Sequence, residues 1–133
     1  MIIEDLDRAR HGYGLATEFE GEASEISPSC GDTVTVRVTG ERFSWQGNGC
    51  TVSMAAASAL GECSVSEFRM IADDYLASVL PGGAPIEFHE LAAFAGIGRF
   101  PLRGRCATLA WRAAQAALRV EESPSSQAPR STS

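Results

Sequence analysis

Three cysteines of this chain stand in turns or at the starts of apolar runs: Ser27-Pro28-Ser29-Cys30-Gly31-Asp32, Gly47-Asn48-Gly49-Cys50 and Arg103-Gly104-Arg105-Cys106. Three thiols and one carboxylate, that of Asp32, are the right number and type for a four-coordinate zinc site. A thiol at a helix N-terminus is favoured as thiolate by the unpaired N–H groups and the helix dipole, and neighbouring arginines act in the same direction. Each residue also has a plainer reading. Asp32 could simply form an Asx turn, Cys30 and Cys106 could be small core residues, and Cys50 could fill a tight loop–helix junction. The chemical reading rests on the three segments together.

The elements around them bring part of the set into one place. Thr33-Val34-Thr35-Val36-Arg37-Val38-Thr39 alternates strictly, with three valines on one face, and reads as a strand. Gly40-Glu41 is a turn, and Arg42-Phe43-Ser44-Trp45-Gln46-Gly47 is the returning strand, with Phe43 and Trp45 sharing a face. Cys30 and Asp32 precede one arm and Cys50 follows the other. An antiparallel hairpin with arms of similar length therefore brings them to the same sheet edge. Residues 15–25 alternate in part and are expected to form a charged edge strand.

Thr51 to Leu60 is rich in alanine and is followed by Gly61, which predicts a helix that Cys50 opens. Ser64 and Glu67 form a capping-box pattern before a second helix with an apolar stripe of Phe68, Ile71, Leu76, Val79 and Leu80. A third short helix is expected within 85–95, with Pro85 in its first turn, followed by a loop over 96–102. A long Ala/Leu-faced helix is expected over 104–119, with Cys106 in its first turn and a weakly amphipathic helix near the N-terminus contributes Leu6 and Ala9. Residues 122–133 form a Ser/Pro-rich tail with almost no apolar side chains, expected to be disordered, which leaves one domain over 1–121.

Other reactive residue types are set aside. Cys63, between Glu62 and Ser64, reads as a thiol at a helix cap rather than a ligand. His11 and His89 have no ligand spacing to any cysteine. Gly96-Ile97-Gly98 lacks the Lys-Ser/Thr of a phosphate loop.

The bulk numbers narrow the function further. The chain has 133 residues, 44% of them hydrophobic, and a formal net charge of −6. That acidity argues against nucleic acid, whose binding depends on cationic side chains. All basic residues are arginine, so no Schiff-base lysine exists. No run has the length to span a membrane and no secretory signal is visible, so a cytoplasmic setting is expected, where clustered cysteines more often bind metal or react than form disulfides.

With these residues assembled, the sequence resembles the U-type family of iron–sulfur cluster assembly proteins, the IscU and NifU N-terminal family, and within it the SufU-like branch. The resemblance is carried by Pro28-Ser29-Cys30-Gly31-Asp32, by Gly47-Asn48-Gly49-Cys50-Thr51-Val52-Ser53-Met54-Ala55, and by Phe100-Pro101-Leu102-Arg103-Gly104-Arg105-Cys106-Ala107-Thr108-Leu109-Ala110-Trp111. Arg105 stands where the IscU branch has a histidine, and the 56 positions from Cys50 to Cys106 (106 − 50) suit the SUF-type insertion. Two departures are the N-terminal Ala9-Arg10-His11-Gly12-Tyr13-Gly14, in place of the family's usual run, and Ser27 in place of a common asparagine.

The resemblance implies an α+β fold with a small three-stranded antiparallel sheet packed on four to five helices. It implies zinc held by Cys30, Asp32, Cys50 and Cys106. It further implies a pyridoxal-phosphate cysteine desulfurase, SufS-like, as the partner that delivers persulfide sulfur, along with downstream SUF assembly proteins. Carried over residue by residue, Cys30 is the sulfur acceptor, which the partner is thought to release from zinc, and Arg103 supports it. Two other functions stand beside sulfur transfer: a scaffold that builds an iron–sulfur cluster on the same ligands, and a structural zinc module for protein binding.

Overall fold

The computed structural model describes residues 2–27, 31–86 and 91–122. Cys30, His89 and the tail beyond residue 122 lie outside them. The described elements run α1 (Ile2–Ala9), β1 (Gly21–Ile26), β2 (Thr33–Thr39), β3 (Arg42–Asn48), α2 (Thr51–Gly61), α3 (Val65–Val79), two 3-10 turns (Leu91–Phe94 and Ile97–Arg99) and α4 (Pro101–Glu122). The architecture is α+β, with one antiparallel sheet in the order β1-β2-β3 and its helices packed against it.

The β2–β3 hairpin follows its alternation. Val34, Val36 and Val38 are fully buried, as is Trp45 across from them, and Phe43 is buried beside it, while the intervening residues face outward. Thr39 pairs with Arg42, so Gly40 and Glu41 alone make the turn. Gly40 has φ +59°, which suits a glycine at the first central position of a type II′ hairpin turn. At the other end Thr33 pairs with Asn48. Gly47 must lack a side chain, because a Cβ there would come 2.4 Å from the Thr33 carbonyl oxygen.

The edge strand is shorter than alternation predicts. Residues 15–20 are outside the strand: Glu20 keeps a backbone bond to the Val38 carbonyl at 2.8 Å, while before it side chains of the sheet bond the backbone of Ala16 and Glu18. Ser44 Oγ accepts from the Ala16 N–H at 3.0 Å, and Arg37 and Thr39 donate to the carbonyls of Ala16 and Glu18 at 2.8 and 2.6 Å. Phe19 lies beneath the Arg37 guanidinium at 4.2 Å. The strand itself begins at Gly21.

Helix α2 is buried on all sides from Ser53 to Leu60. Its alanines let α1, α4 and the sheet approach closely, as expected of a helix with no polar face. Helix α3 opens with the predicted capping box: the Glu67 N–H donates to Ser64 Oγ at 3.1 Å and the Ser64 N–H donates to Glu67 Oε1 at 2.9 Å. Its buried stripe is Phe68, Ile71, Ala72, Tyr75 and Val79, whereas Leu80 of the predicted stripe is exposed. Pro85 is in irregular chain rather than a helix, and helix over the rest of 85–95 shrinks to the 3-10 turn at Leu91–Phe94 among the described residues.

Helix α4 starts three residues earlier than expected, with Pro101 as its first residue. Gly104 allows this, since a Cβ there would sit 2.8 Å from Gly98 Cα. The sheet, α3 and α4 are joined by a row of rings. Phe43 meets Phe68, Phe68 stacks on Trp111, and Trp111 meets Tyr75, with centroids 5.1, 5.2 and 4.3 Å apart. Trp111 also donates its indole N–H to the Ala56 carbonyl at 3.0 Å, so its burial leaves no orphaned donor.

Trp111→Ala is therefore expected to cost about 3–5 kcal/mol in urea unfolding of the metal-free protein. Arg8→Ala, which removes an exposed pair with Asp5, should leave the midpoint nearly unchanged.

Candidate metal centre

The hairpin, the start of α2 and the second turn of α4 converge on Asp32, Cys50 and Cys106. One ligand atom from each lies within 4.8 Å of the others, and this is the single group of its kind among the described residues. Asp32 directly precedes β2. Its partner across the hairpin end is Gly49, where a Cβ would fall 2.7 Å from the Asp32 carboxyl carbon. A glycine at that position is thus required for the carboxylate to sit where it does. Gly31, with φ +77°, donates its N–H to the Ser27 carbonyl at 2.7 Å, and Ser27 donates back to the Asp32 carbonyl at 2.8 Å, so the turn leading into Asp32 is closed by backbone.

Asp32 Oδ2 receives three donors: the Ser53 hydroxyl at 2.6 Å, the Cys50 N–H at 3.3 Å and the Cys106 thiol at 3.3 Å. Burial by itself would raise this carboxyl's pKa. The hydrogen bonds, led by Ser53 and then the Cys50 N–H, outweigh it and hold the group below the usual carboxylate range. Cys50 is the N-cap of α2, in extended conformation, and its side chain makes no capping bond to the helix backbone. Its thiol instead faces Ser53 Oγ at 3.7 Å.

Cys106 sits in the second turn of α4 rather than the first, because the helix begins at Pro101. It is buried, and burial is the main cause pushing its thiol pKa well above the ordinary value. In the metal-free state burial thus works against the thiolate that the neighbouring arginines would favour. The three candidate ligands are unequal: Cys50 is exposed, while Asp32 and Cys106 are buried.

Two thiols and a carboxylate fit zinc by donor type. Tetrahedral bonds of about 2.0–2.3 Å place ligand atoms roughly 3.3–3.8 Å apart, and Cys106 Sγ already lies 3.3 Å from Asp32 Oδ2. Cys30, two positions before Asp32, lies outside the described residues. Arg103 stands three residues before Cys106 on α4, exposed, with its guanidinium 5.2 Å from the Phe100 ring centroid. Next to the site, β1 and α4 leave a cleft of about 460 Å³ lined by Ile26, Ser27, Arg105, Thr108 and Arg112 among others.

Sequence reading missed Ser53. It lies three residues after Cys50, on the same side of the helix, and that i, i+3 relation was the available signal. Of the residues set aside, Cys63 and His11 stay apart from the centre, and His89 lies outside the described residues. Cys63 lies beyond the far end of α2, a helix of 11 residues and so about 16 Å long. It is buried rather than exposed at its cap, donates to the Ala59 carbonyl at 3.6 Å, and burial pushes its thiol up to about 12. His11 is not solitary, since its Nε2 lies 3.4 Å from Glu62 Oε2 near that same end.

Comparison with known proteins places these features among relatives. No protein-family model matches the chain. It is 28% identical over 131 residues to the iron–sulfur cluster assembly scaffold protein IscU of Streptococcus pyogenes serotype M1, covering 89% of this chain and 80% of that protein. It is 29% identical over 107 residues to the zinc-dependent sulfurtransferase SufU of Bacillus subtilis, covering 72% and 73%. The fold matches the crystal structure of the N-terminal part of a nitrogen-fixing NifU-like protein from Brucella abortus, with a TM-score of 0.78, 21% identity and coverage of 91% and 92%.

Alkylation of the metal-free native protein near pH 8 should separate two of the thiols. Cys50, exposed, is expected to react well before Cys63, whose thiolate fraction at that pH is minute with a pKa of about 12. Peptide mapping reads the order, and a Cys63 modified as fast as Cys50 contradicts this burial.

Proposed function

The chain belongs to the IscU/NifU/SufU family of iron–sulfur cluster assembly proteins, and from that premise we propose that it is a zinc-dependent sulfur-transfer protein taking persulfide sulfur from a cysteine desulfurase. The observation that carries the reading is the convergence of Asp32, Cys50 and Cys106 on one point. The B. subtilis relative, by name a zinc-dependent sulfurtransferase, supports it. Asp32, Cys50, Cys106 and Cys30 would hold the zinc. Bound there, zinc keeps thiols deprotonated without any redox change of its own.

Cys30 is the proposed acceptor. Its thiolate attacks the outer sulfur of the donor's cysteine persulfide. The donor's S–S bond breaks, the donor cysteine leaves as thiolate, and Cys30 carries the persulfide, with no net oxidation. Asp32 and Cys106 hold the inner side of the site, while Cys50 lies at its surface. Arg103, a fixed cation one helical turn before Cys106, is positioned to offset negative charge that gathers there. No described helix is long and apolar enough to cross a membrane.

A second reading is a scaffold for an iron–sulfur cluster on the same ligands. It is favoured by the S. pyogenes relative's name and by the suitability of cysteine thiolates for such clusters.

Metal analysis combined with a desulfurase assay separates the readings. Sulfur transfer predicts about one tightly held zinc per chain, stimulated desulfurase turnover, and loss of that stimulation in Cys30→Ala. Cys30→Ala with undiminished stimulation rejects the acceptor assignment. A visible-absorbing cluster that passes to an apo-protein supports the scaffold instead.

A further inference from the structure

We propose that Ser53 is a positioning residue of this centre: its hydroxyl fixes the Asp32 carboxylate as a metal ligand. The inference rests on the zinc reading above and names a residue that reading does not use.

Ser53 is fully buried on α2, among Met54, Ala55, Ala56 and Ala57. A hydroxyl there must be hydrogen-bonded, and alanine would serve the helix better. Its one proton goes to Asp32 Oδ2 at 2.6 Å, the shortest of the three contacts on that oxygen. The other two are the Cys50 N–H and the Cys106 thiol, both at 3.3 Å. Metal binding requires deprotonated thiols, so the Cys106 S–H contact disappears when that sulfur becomes a ligand. Of the three donors, Ser53 and the longer Cys50 N–H then remain to orient the carboxylate. Ser53 and Cys50 share one side of the first turn of α2. The hydroxyl therefore fixes Asp32, at the end of the hairpin, relative to the helix that carries Cys50.

Partners of this kind typically contribute 10- to 100-fold in metal affinity. The test is zinc affinity of the full-length, metal-stripped chain, measured by competition with a chromophoric chelator. Ser53→Ala is expected to weaken zinc about 10- to 100-fold, and Ser53→Thr, which keeps the hydroxyl, to recover most of the loss. In an Asp32→Ala background, Ser53→Ala should change affinity by less than about threefold, because the 2.6 Å bond to Asp32 is the shortest contact of that hydroxyl in the site, the Cys50 thiol lying at 3.7 Å.

Circular dichroism of metal-free Ser53→Ala should match the wild type. A metal-free variant that is unfolded makes the role structural and overturns the proposal. So does a loss of affinity that persists at full size in the Asp32→Ala background. Wild-type affinity in Ser53→Ala, with the wild type itself binding zinc, rejects this inference alone. A wild-type chain that does not bind zinc rejects the functional reading first.

Discussion

The buried carboxylate of Asp32 is the constraint on which the rest of this structure turns. It joins three segments far apart in sequence: the end of the hairpin, the first turn of α2 and the second turn of α4. An isolated carboxylate in that position would carry a desolvation cost. Three donors and the N-terminus of α2 offset it and leave the group ionised. The contact also explains two residues that packing alone would not select. Gly49 is small because the carboxyl carbon occupies the space a Cβ would need. Ser53, one of two buried serines in an alanine-rich helix, gives its proton to that carboxylate, as Ser58 further along accepts the His11 N–H.

The core serves this arrangement by bringing α2 and α4 close together. Alanines at 55, 56, 57 and 59 of α2 and at 107, 110, 113 and 114 of α4 belong to one buried cluster. Such small side chains allow near approach of the two backbones, and Trp111 spans the gap with a bond to the Ala56 carbonyl. The chain thus has little conformational freedom in how far Cys106 sits from Cys50. Trp111 also belongs to the ring row from Phe43 to Tyr75, which ties this helix pair to β3 and α3.

Much of this was legible in the sequence, for identifiable reasons. The valine alternation of β2, the alanine run of α2 and the capping box of α3 are local signals, and each appears as expected. Asp32 and Cys50 met because hairpin geometry demands it. The failures were tertiary. Residues 15–20 alternate like a strand, but Ser44, Arg37 and Thr39 bond their backbone from the sheet's surface. The start of α4 looked like a loop because Gly98 and Gly104 flank it, whereas both glycines serve a close crossing of backbone. That displaced start moved Cys106 away from the helix end and into the interior. Ser53 was missed because its one sequence signal, the i, i+3 relation to Cys50, gains weight only once Asp32 is seen to face it.

Charge gives a further step. Three thiolates and a carboxylate around a divalent ion would carry a net charge of −2, by counting −4 from the ligands against +2. Arg105 cannot join the ligands, since guanidinium stays protonated. It can only oppose their charge. Residues 97–119 contain Arg99, Arg103, Arg105, Arg112 and Arg119 with no Asp or Glu, in a chain whose formal net charge is −6. Fifteen of the chain's seventeen acidic residues lie before residue 97 and the other two after residue 119. The helix that delivers Cys106 is thus the one long basic element of an acidic protein. Were Asp32, Cys50 and Cys106 to hold a divalent ion together with Cys30, every ligand would be anionic, and this run of arginines would oppose the excess negative charge.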